Sequence, residues 1–402
     1  MKSIFIGSFY LNSYIEKNAD KQFLGFANDL LQKSYLQGLA KSEKVEDVLA
    51  ITLPNVVAYP KSNSEFFHAK SSEKIYGVEC VSLSFYNPLL VKRYCRYKSL
   101  CSLFNDYASF LKNTDVIFIY DLDLSLLAFA RTVKKHYPQI KVVNIVPDLM
   151  GFTGQKQNFI NTVFTKISRD IADAYLKSID CFIYLTESMN TYMQMNKPYV
   201  VVEGIYNVAE EGDGFQPQMK DDAIKRILYA GAMSKRNGVD TLLAAFKLIK
   251  DNNYELLLCG DGELREEIET MAVFDKRVRF LGNLPHGKVL EYQQQSSLLI
   301  NPRPALEEFT KYSFPSKTME YFASGVPVLM YKLPGIPDEY YQYCYSLEET
   351  SSAYMADRIQ SIMNMPFEKR KGKALQARDF ILKNKTPKVW IDRIINFLEQ
   401  NK

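Results

Sequence analysis

At 402 residues the chain is longer than a single core usually serves, so two domains are expected. Apolar residues make up 47% and run through the whole length, which excludes a disordered chain. The formal charge of +4 is too weak and too dispersed for a nucleic-acid binder, whereas an anionic substrate or an anionic membrane surface is compatible with it.

The start, MKSIFIGSFY, reads as a first strand and lacks the apolar stretch and cleavage signature of a signal peptide. A helical spacing of Phe, Leu and Ala follows in KQFLGFANDLLQKSYLQGLA. DVLAITLP, DVIFIYDLD, KVVNIVPD and DCFIYLTE are further apolar runs closed by polar residues, with helical stretches such as LSLLAFARTVKKHY between them. This alternation predicts an α/β fold with parallel sheets covered by helices. Ligands of such sheets sit beyond the carboxyl ends of the strands.

Residues 203–225, EGIYNVAEEGDGFQPQMKDDAIK, are polar and read as an interdomain linker. The alternation then restarts with RILYAG, GVDTLLAAFKLIK, YELLLCGDG, RVRFLGNL, SSLLINPR and VPVLMYKL. Two Rossmann-like halves are expected, 1–205 and 206–385, with an amphipathic helix at 386–402 carrying the single tryptophan, Trp390. No run reaches the roughly 18 apolar residues of a spanning helix. The six cysteines form no CxxC pair and read as buried free thiols, so a cytoplasmic protein is expected.

Three segments carry chemistry. In ILYAGAMSKRNGVDTLLAAF a strand, a turn at Gly231 and a helix create a place where backbone approaches a phosphate, with Ser234 and Gly238 in the turn. CGDGELREEI repeats the arrangement with Gly260 and Gly262, and Asp261 between them is either a turn residue or a ligand contact. LLINPRPALEEFTKYSFPSKTMEYFASGVPVLMY is the most specific: strand, loop, short helix, a Gly325 cap and a strand. Ser316 and Lys317 open that helix, and Arg303, Lys311 and Lys317 supply positive charge for a diphosphate without an Asp-rich metal motif. Glu320, one turn in, is suited to accept hydrogen bonds from ribose hydroxyls, as the acidic residue of dinucleotide folds does.

On these residues the C-terminal half resembles the retaining GT-B glycosyltransferases of family 4, with GAMSKRNG, GDGE and MEYFASGVPV in the places of the family's turns and its glutamate-to-GxPV segment. The match covers most of 226–345. It is closest to the bacterial exopolysaccharide and capsule branch, while 1–200 resembles the family in architecture alone. The resemblance implies two Rossmann-like domains with a cleft between them, a nucleotide-diphosphate sugar (UDP by default) held by the C-terminal domain, and a glycan or lipid-linked glycan acceptor on the N-terminal one. It also implies retention of configuration, no metal or other cofactor, and a last helix that packs back on the N-terminal domain.

The chain departs from the pattern at three points. The family's usual Arg and Lys in the first turn are Ala232 and Asn237, and the first of its two glutamates is Tyr312. Arg303, Lys311 and Lys317 are expected to replace the cations. Glu307 and Glu308 either replace the glutamate, with Glu308 the catalytic candidate, or are a solvated loop face. Where the family often places a His after an N-terminal strand, this chain has Pro147 and Asp148; Asp148 is the second catalytic candidate, as a proton acceptor or a positioning group. Asp121 and Asp123 close the preceding strand. Gly7, Ser8 and Asp121 are expected to line the acceptor cleft. His68, His136 and His286 sit in a loop, on a helix surface and near a helix start, and none is a catalytic candidate. Lys92, Arg93, Arg96 and Lys98, interleaved with aromatics in LLVKRYCRYKSLCSLF, form either a solvated helix face or one that rests on the inner face of the membrane. Two rivals stay open: a non-catalytic partner subunit of an active transferase, and a sugar-nucleotide epimerase.

Overall fold

Parallel strands buried on both faces read as continuous apolar runs, and the runs above become the centres of two sheets. The computed structural model describes residues 1–17, 26–68, 71–149, 159–207, 221 and 223–401, the side chains of 26–27 and 159–167 excepted. The chain divides into two units, Met1–Ile205 with Pro387–Lys402, and Tyr206–Thr386.

The first unit holds β1 (Lys2–Gly7), β2 (Asp47–Thr52), β3 (Phe66–Phe67), β4 (Ser71–Ile75), β5 (Val78–Ser82), β6 (Phe85–Tyr86), β7 (Val116–Tyr120), β8 (Lys141–Val146), β9 (Cys181–Tyr184) and β10 (Tyr199–Val201). Eight of them form one sheet in the order β10-β9-β8-β7-β1-β2-β5-β4. All neighbours are parallel except β4, which runs antiparallel to β5 at the edge, and β3 pairs with β6 in a separate antiparallel ribbon. The sequence reading had only parallel strands here. The antiparallel pieces are short, and β4 meets β5 through the tight turn Tyr76–Gly77, where both residues have positive φ, so they leave no long apolar run.

The helix Pro387–Gln400 belongs to this unit. Trp390, Ile391, Ile394, Ile395 and Leu398 enter the same apolar core as Tyr35, Leu36 and Leu39 of the helix Phe26–Lys41. Gly38 makes the contact possible: a Cβ there would lie 2.5 Å from Pro387 O and 2.5 Å from Ile391 Cγ1.

The second unit holds β11 (Lys225–Ala230), β12 (Tyr254–Cys259), β13 (Val278–Gly282), β14 (Leu298–Asn301), β15 (Val328–Tyr331) and β16 (Tyr345–Leu347). Its order, β13-β12-β11-β14-β15-β16, is the 3-2-1-4-5-6 order of a dinucleotide-type sheet. In both units the chain reverses its direction of travel across the sheet beside the first strand, at β1/β7 and at β11/β14. Crevices open at such points because the flanking connections leave to opposite faces.

Of the predicted linker 203–225, residues 208–220 and 222 lie outside the described residues, and Lys225 already begins β11. All six cysteines are free; Cys80, Cys181, Cys259 and Cys344 are buried, but Cys95 and Cys101 are half-buried. Among the described residues no helix is long and apolar enough to cross a membrane.

Candidate functional site

At the switch point of the second unit two glycine turns, one after β11 and one after β12, come together beside the end of β14. Gly231 (φ 152°) follows β11, and Gly260 (φ 135°) and Gly262 (φ 156°) follow β12. The turns interlock through Gly231 N–H donating to Cys259 O (2.8 Å), Met233 N–H to Asp261 O (2.9 Å) and Leu264 N–H to Met233 O (3.0 Å). A Cβ on Gly260 would lie 2.0 Å from Gly231 O, so glycine is required by contact as well as by conformation. Gly238 (φ 72°) caps the following helix, Val239–Leu248, and a Cβ there would lie 2.0 Å from Pro302 O. Ser234 opens the intervening single turn and its carbonyl accepts from Asn237 and Val239. The Asp261 carboxylate serves its own turn: it accepts from Gly262 N–H (2.9 Å) and pairs with Arg265 at 3.6 Å.

The helix Lys317–Ala323 is held against this turn by its own residues. The buried Tyr321 hydroxyl accepts from Ala230 N–H at 2.9 Å. Lys317 extends back over the Tyr229 ring, its Nζ 4.5 Å from the ring centroid and 3.4 Å from the hydroxyl. A Cβ on Gly231 would lie 2.2 Å from that Nζ, so the ammonium sits on the glycine backbone itself. Burial, with repulsion from Arg303 and against attraction from Glu320, lowers the Lys317 pKa to about 8.

Two guanidiniums complete the group. Arg303 after β14 and Arg236 in the first turn both lie over the Phe309 ring, at 4.2 Å and 3.7 Å. Burial and the nearby Arg236 lower the Arg303 pKa to about 10, and its Nε is buried without a hydrogen-bond partner. Arg236 pairs with Glu307 at 2.9 Å. Three cations that raise one another's energy mark a place where an anion would lower it. The half-buried Glu320 carboxylate accepts no hydrogen bond and forms no ion pair among the described residues. Ser316 is exposed at the start of the helix, and Lys311 and Glu308 are exposed on the turn Glu308–Lys311.

The first unit gathers a second set at β1, β7 and β8. Gly7 ends β1, and Ser8 N–H donates to Gln32 Oε1 at 2.8 Å. Asp121 has a φ of 79°, rare for a residue with a side chain. Its N–H donates to Ile145 O (2.8 Å), its carbonyl accepts from Asn144 Nδ2 (2.9 Å) and its carboxylate from Leu122 N–H (2.6 Å). Burial, with Asp123 and Asp148 nearby, raises its pKa to about 6. Asp148 is exposed as a residue, yet the atoms around its carboxyl desolvate it and raise its pKa against a bond from Asn28. Asp123 is instead a helix cap, accepting from Ser125 and Leu126 N–H. Burial opposes its ionisation, but Arg96 and these bonds prevail and its pKa is lowered.

One reading is corrected. The basic helix, Lys92–Cys101, does not present all four cations to solvent. Arg96 is buried, donating to Leu53 O (3.0 Å) and lying 3.8 Å from Asp123, and Lys92 donates to Val56 O. Only Arg93 and Lys98 of the four are exposed. The histidines lie as expected: His68 is exposed against Phe66, His136 is on a helix surface and His286 starts a helix. The reading did not single out Arg236, Tyr229, Phe309 or Gln32. Arg236 had a signal, since it immediately precedes Asn237, where the family carries its cation. Among the described residues no three His, Cys, Asp or Glu side chains are grouped to hold a metal.

Comparison with solved structures decides the fold. Sucrose-phosphate synthase from Thermosynechococcus elongatus superimposes with a TM-score of 0.62 at 14% identity, covering 100% of both chains. HepE of Anabaena, solved in complex with UDP, gives 0.63 at 12% over 100% of both. An E. coli structure described as trehalose-6-phosphate bound with UDP-2-fluoro glucose gives 0.67 at 11% over 99% of both. The fold is GT-B. Residues 224–365 match the family described as Glycosyl transferases group 1, a span from β11 through the helix Ser352–Met363. The Gly231 and Gly260–Gly262 turns therefore lie inside the matched span. No curated protein matches the chain.

Proposed function

We propose that the chain is a glycosyltransferase that takes a sugar from a nucleotide-diphosphate sugar and gives it to a hydroxyl of a glycan or lipid-linked glycan in cell-surface polysaccharide synthesis. The observation that carries this is the group Arg236, Arg303 and Lys317 around the Gly231 turn, with the unpaired Glu320 beside it. The cations hold the diphosphate and Glu320 accepts from the ribose hydroxyls. Arg236 and Arg303 supply the charge that Ala232 and Asn237 lack. The matched family and the UDP-bearing structures of the same fold support UDP as the nucleotide.

In the reaction the bond from the anomeric carbon to the diphosphate oxygen breaks and a bond to the acceptor oxygen forms. The cations stabilise the charge that builds on the departing diphosphate. Transfer is retaining, as the resemblance implies, and needs no metal. Asp148 and Asp121, whose pKa values are raised toward neutrality, position the acceptor hydroxyl or take its proton. The Glu308 carboxylate is the candidate contact to the donor sugar. The protein works in the cytoplasm, in contact with the inner face of the membrane.

The test is a thermal-shift panel of UDP-, GDP- and dTDP-sugars on the wild type and Glu320→Ala. A ligand that binds the folded state alone raises the melting point by mass action. The expected result is a shift with UDP-sugars that is lost in Glu320→Ala. No shift with any donor in a folded sample overturns the donor site and favours the partner-subunit reading, which Ala232 and Asn237 motivate. Conversion of the sugar with the nucleotide still attached, without acceptor, identifies an epimerase instead.

A further inference from the structure

Eight of the fourteen large apolar side chains exposed among the described residues fall between residues 57 and 94. They are gathered by the fold. Phe66 and Tyr86 are cross-strand partners in the β3–β6 ribbon. Tyr59 bridges Pro88, and Leu89 N–H donates to Tyr59 O at 3.1 Å. Leu89, Leu90 and Val91 then form the turn that enters the helix Lys92–Cys101, with Tyr94 in its first turn. Leu90 is 96% exposed and Leu89 68%, so two adjacent leucines stand in water at the tip of a turn. A soluble surface gains nothing from this arrangement, and contiguous exposed patches of this kind mark interaction sites.

The charge around the turn selects the partner. Residues 80–105 contain no Asp or Glu. Arg93 and Lys98 are exposed on the helix that follows, and Lys61 is exposed beyond Tyr59. Lys98 also borders the groove lined by Phe66 and Tyr86, so cation and aromatics share one surface. Exposed acids border it too: Glu65, which accepts from the Tyr86 hydroxyl, and Glu79 and Asp106 on the groove walls. Apolar side chains at a tip with cations behind them match an acyl boundary below anionic headgroups.

We propose that the Leu89–Leu90–Val91 turn is a membrane-docking element that inserts into the interface of an anionic bilayer, with Arg93 and Lys98 against the headgroups. It deepens the proposed membrane contact, and differs from the sequence reading in naming the turn, not the helix face, as the inserted part. It does not require the donor site to be correct.

The test is flotation of the full chain with vesicles of phosphatidylcholine alone and of phosphatidylcholine with phosphatidylglycerol. Binding is expected to the mixed vesicles, weakened by salt, and roughly tenfold weaker in the double variant Leu89→Ser, Leu90→Ser and in Arg93→Glu, Lys98→Glu. Leu90→Trp should show a blue-shifted emission on the same vesicles. All these positions are exposed, so the variants keep their fold, and an unchanged melting point confirms it. No binding by the wild type, or equal binding by the leucine variant, overturns the proposal. So does a concentration-dependent dimer in light scattering that the leucine variant abolishes, which would make the turn a self-association surface. Vesicle binding together with no shift in the donor panel would leave this inference standing and remove the transferase reading.

Discussion

Lys317 and Asp121 show how burial sets charge at single residues. The lowered Lys317 pKa of about 8 means that the free protein holds this proton weakly. A bound diphosphate favours the ammonium and raises that pKa, so binding takes up a proton and the affinity for UDP falls as pH rises through about 8. Calorimetry at several pH values should show the fall in the wild type and a flat profile in Lys317→Met. Asp121 has the opposite sign. Its folded pKa of about 6 lies above the ordinary 3.8, so ionising it opposes folding. The penalty is absent below 3.8, grows as pH rises to about 6 and is constant above. Asp121→Asn keeps an acceptor for Leu122 N–H and should raise stability at neutral pH, by up to about 3 kcal/mol, with little gain at pH values below 3.8. Melting curves of both proteins across that range measure the difference. Lys317 was legible as a cation opening a helix and Asp121 as a polar group closing a strand, but their pKa values depend on neighbours distant in sequence.

Elements meet at backbone distances here, and glycines decide which meetings are possible. Gly260→Ala would place a methyl 2.0 Å from Gly231 O in a conformation closed to alanine. It should cost more than the roughly 1–3 kcal/mol of backbone strain alone and weaken nucleotide binding. Gly282 has φ 63° but nothing within 4 Å of its Cβ position, so Gly282→Ala should cost only the left-handed penalty, about 1 kcal/mol. Gly372 is exposed within the helix Phe367–Asn384 with open space around it, and Gly372→Ala should stabilise by about 1 kcal/mol. Urea unfolding of the three variants separates clash, strain and helix propensity. The strands and the Gly turns were readable from sequence because each is a local pattern. The β3–β6 ribbon was not, since a two-residue strand carries no periodicity, and neither was the edge strand β4, whose SSEKI holds a single apolar residue.

At the scale of the molecule, the chain's last helix completes its first unit. Trp390, Ile391, Ile394, Ile395 and Leu398 are buried in that core. At roughly 1.5–3 kcal/mol for each buried side chain, their sum is comparable with the entire stability of a domain. Deleting 387–402 should therefore unfold 1–205 and leave 206–386 folded, read as selective proteolysis of the first unit. Gly38→Val should act in the same direction more mildly, because it separates the two helices at their closest approach.

The sequence by itself determined the α/β alternation, the Rossmann-like halves and the glycine turns, and it singled out Arg303, Lys317 and Glu320 as candidates. Each of these follows from patterns a few residues long. The tertiary structure decided which charges meet. It joined Arg236 to Arg303 across Phe309, turned Lys92 and Arg96 inward, gave Asp121 its left-handed backbone and exposed the Leu89–Leu90 turn. Burial and the distances between charges are set by packing between segments far apart in the chain, and no local pattern encodes them.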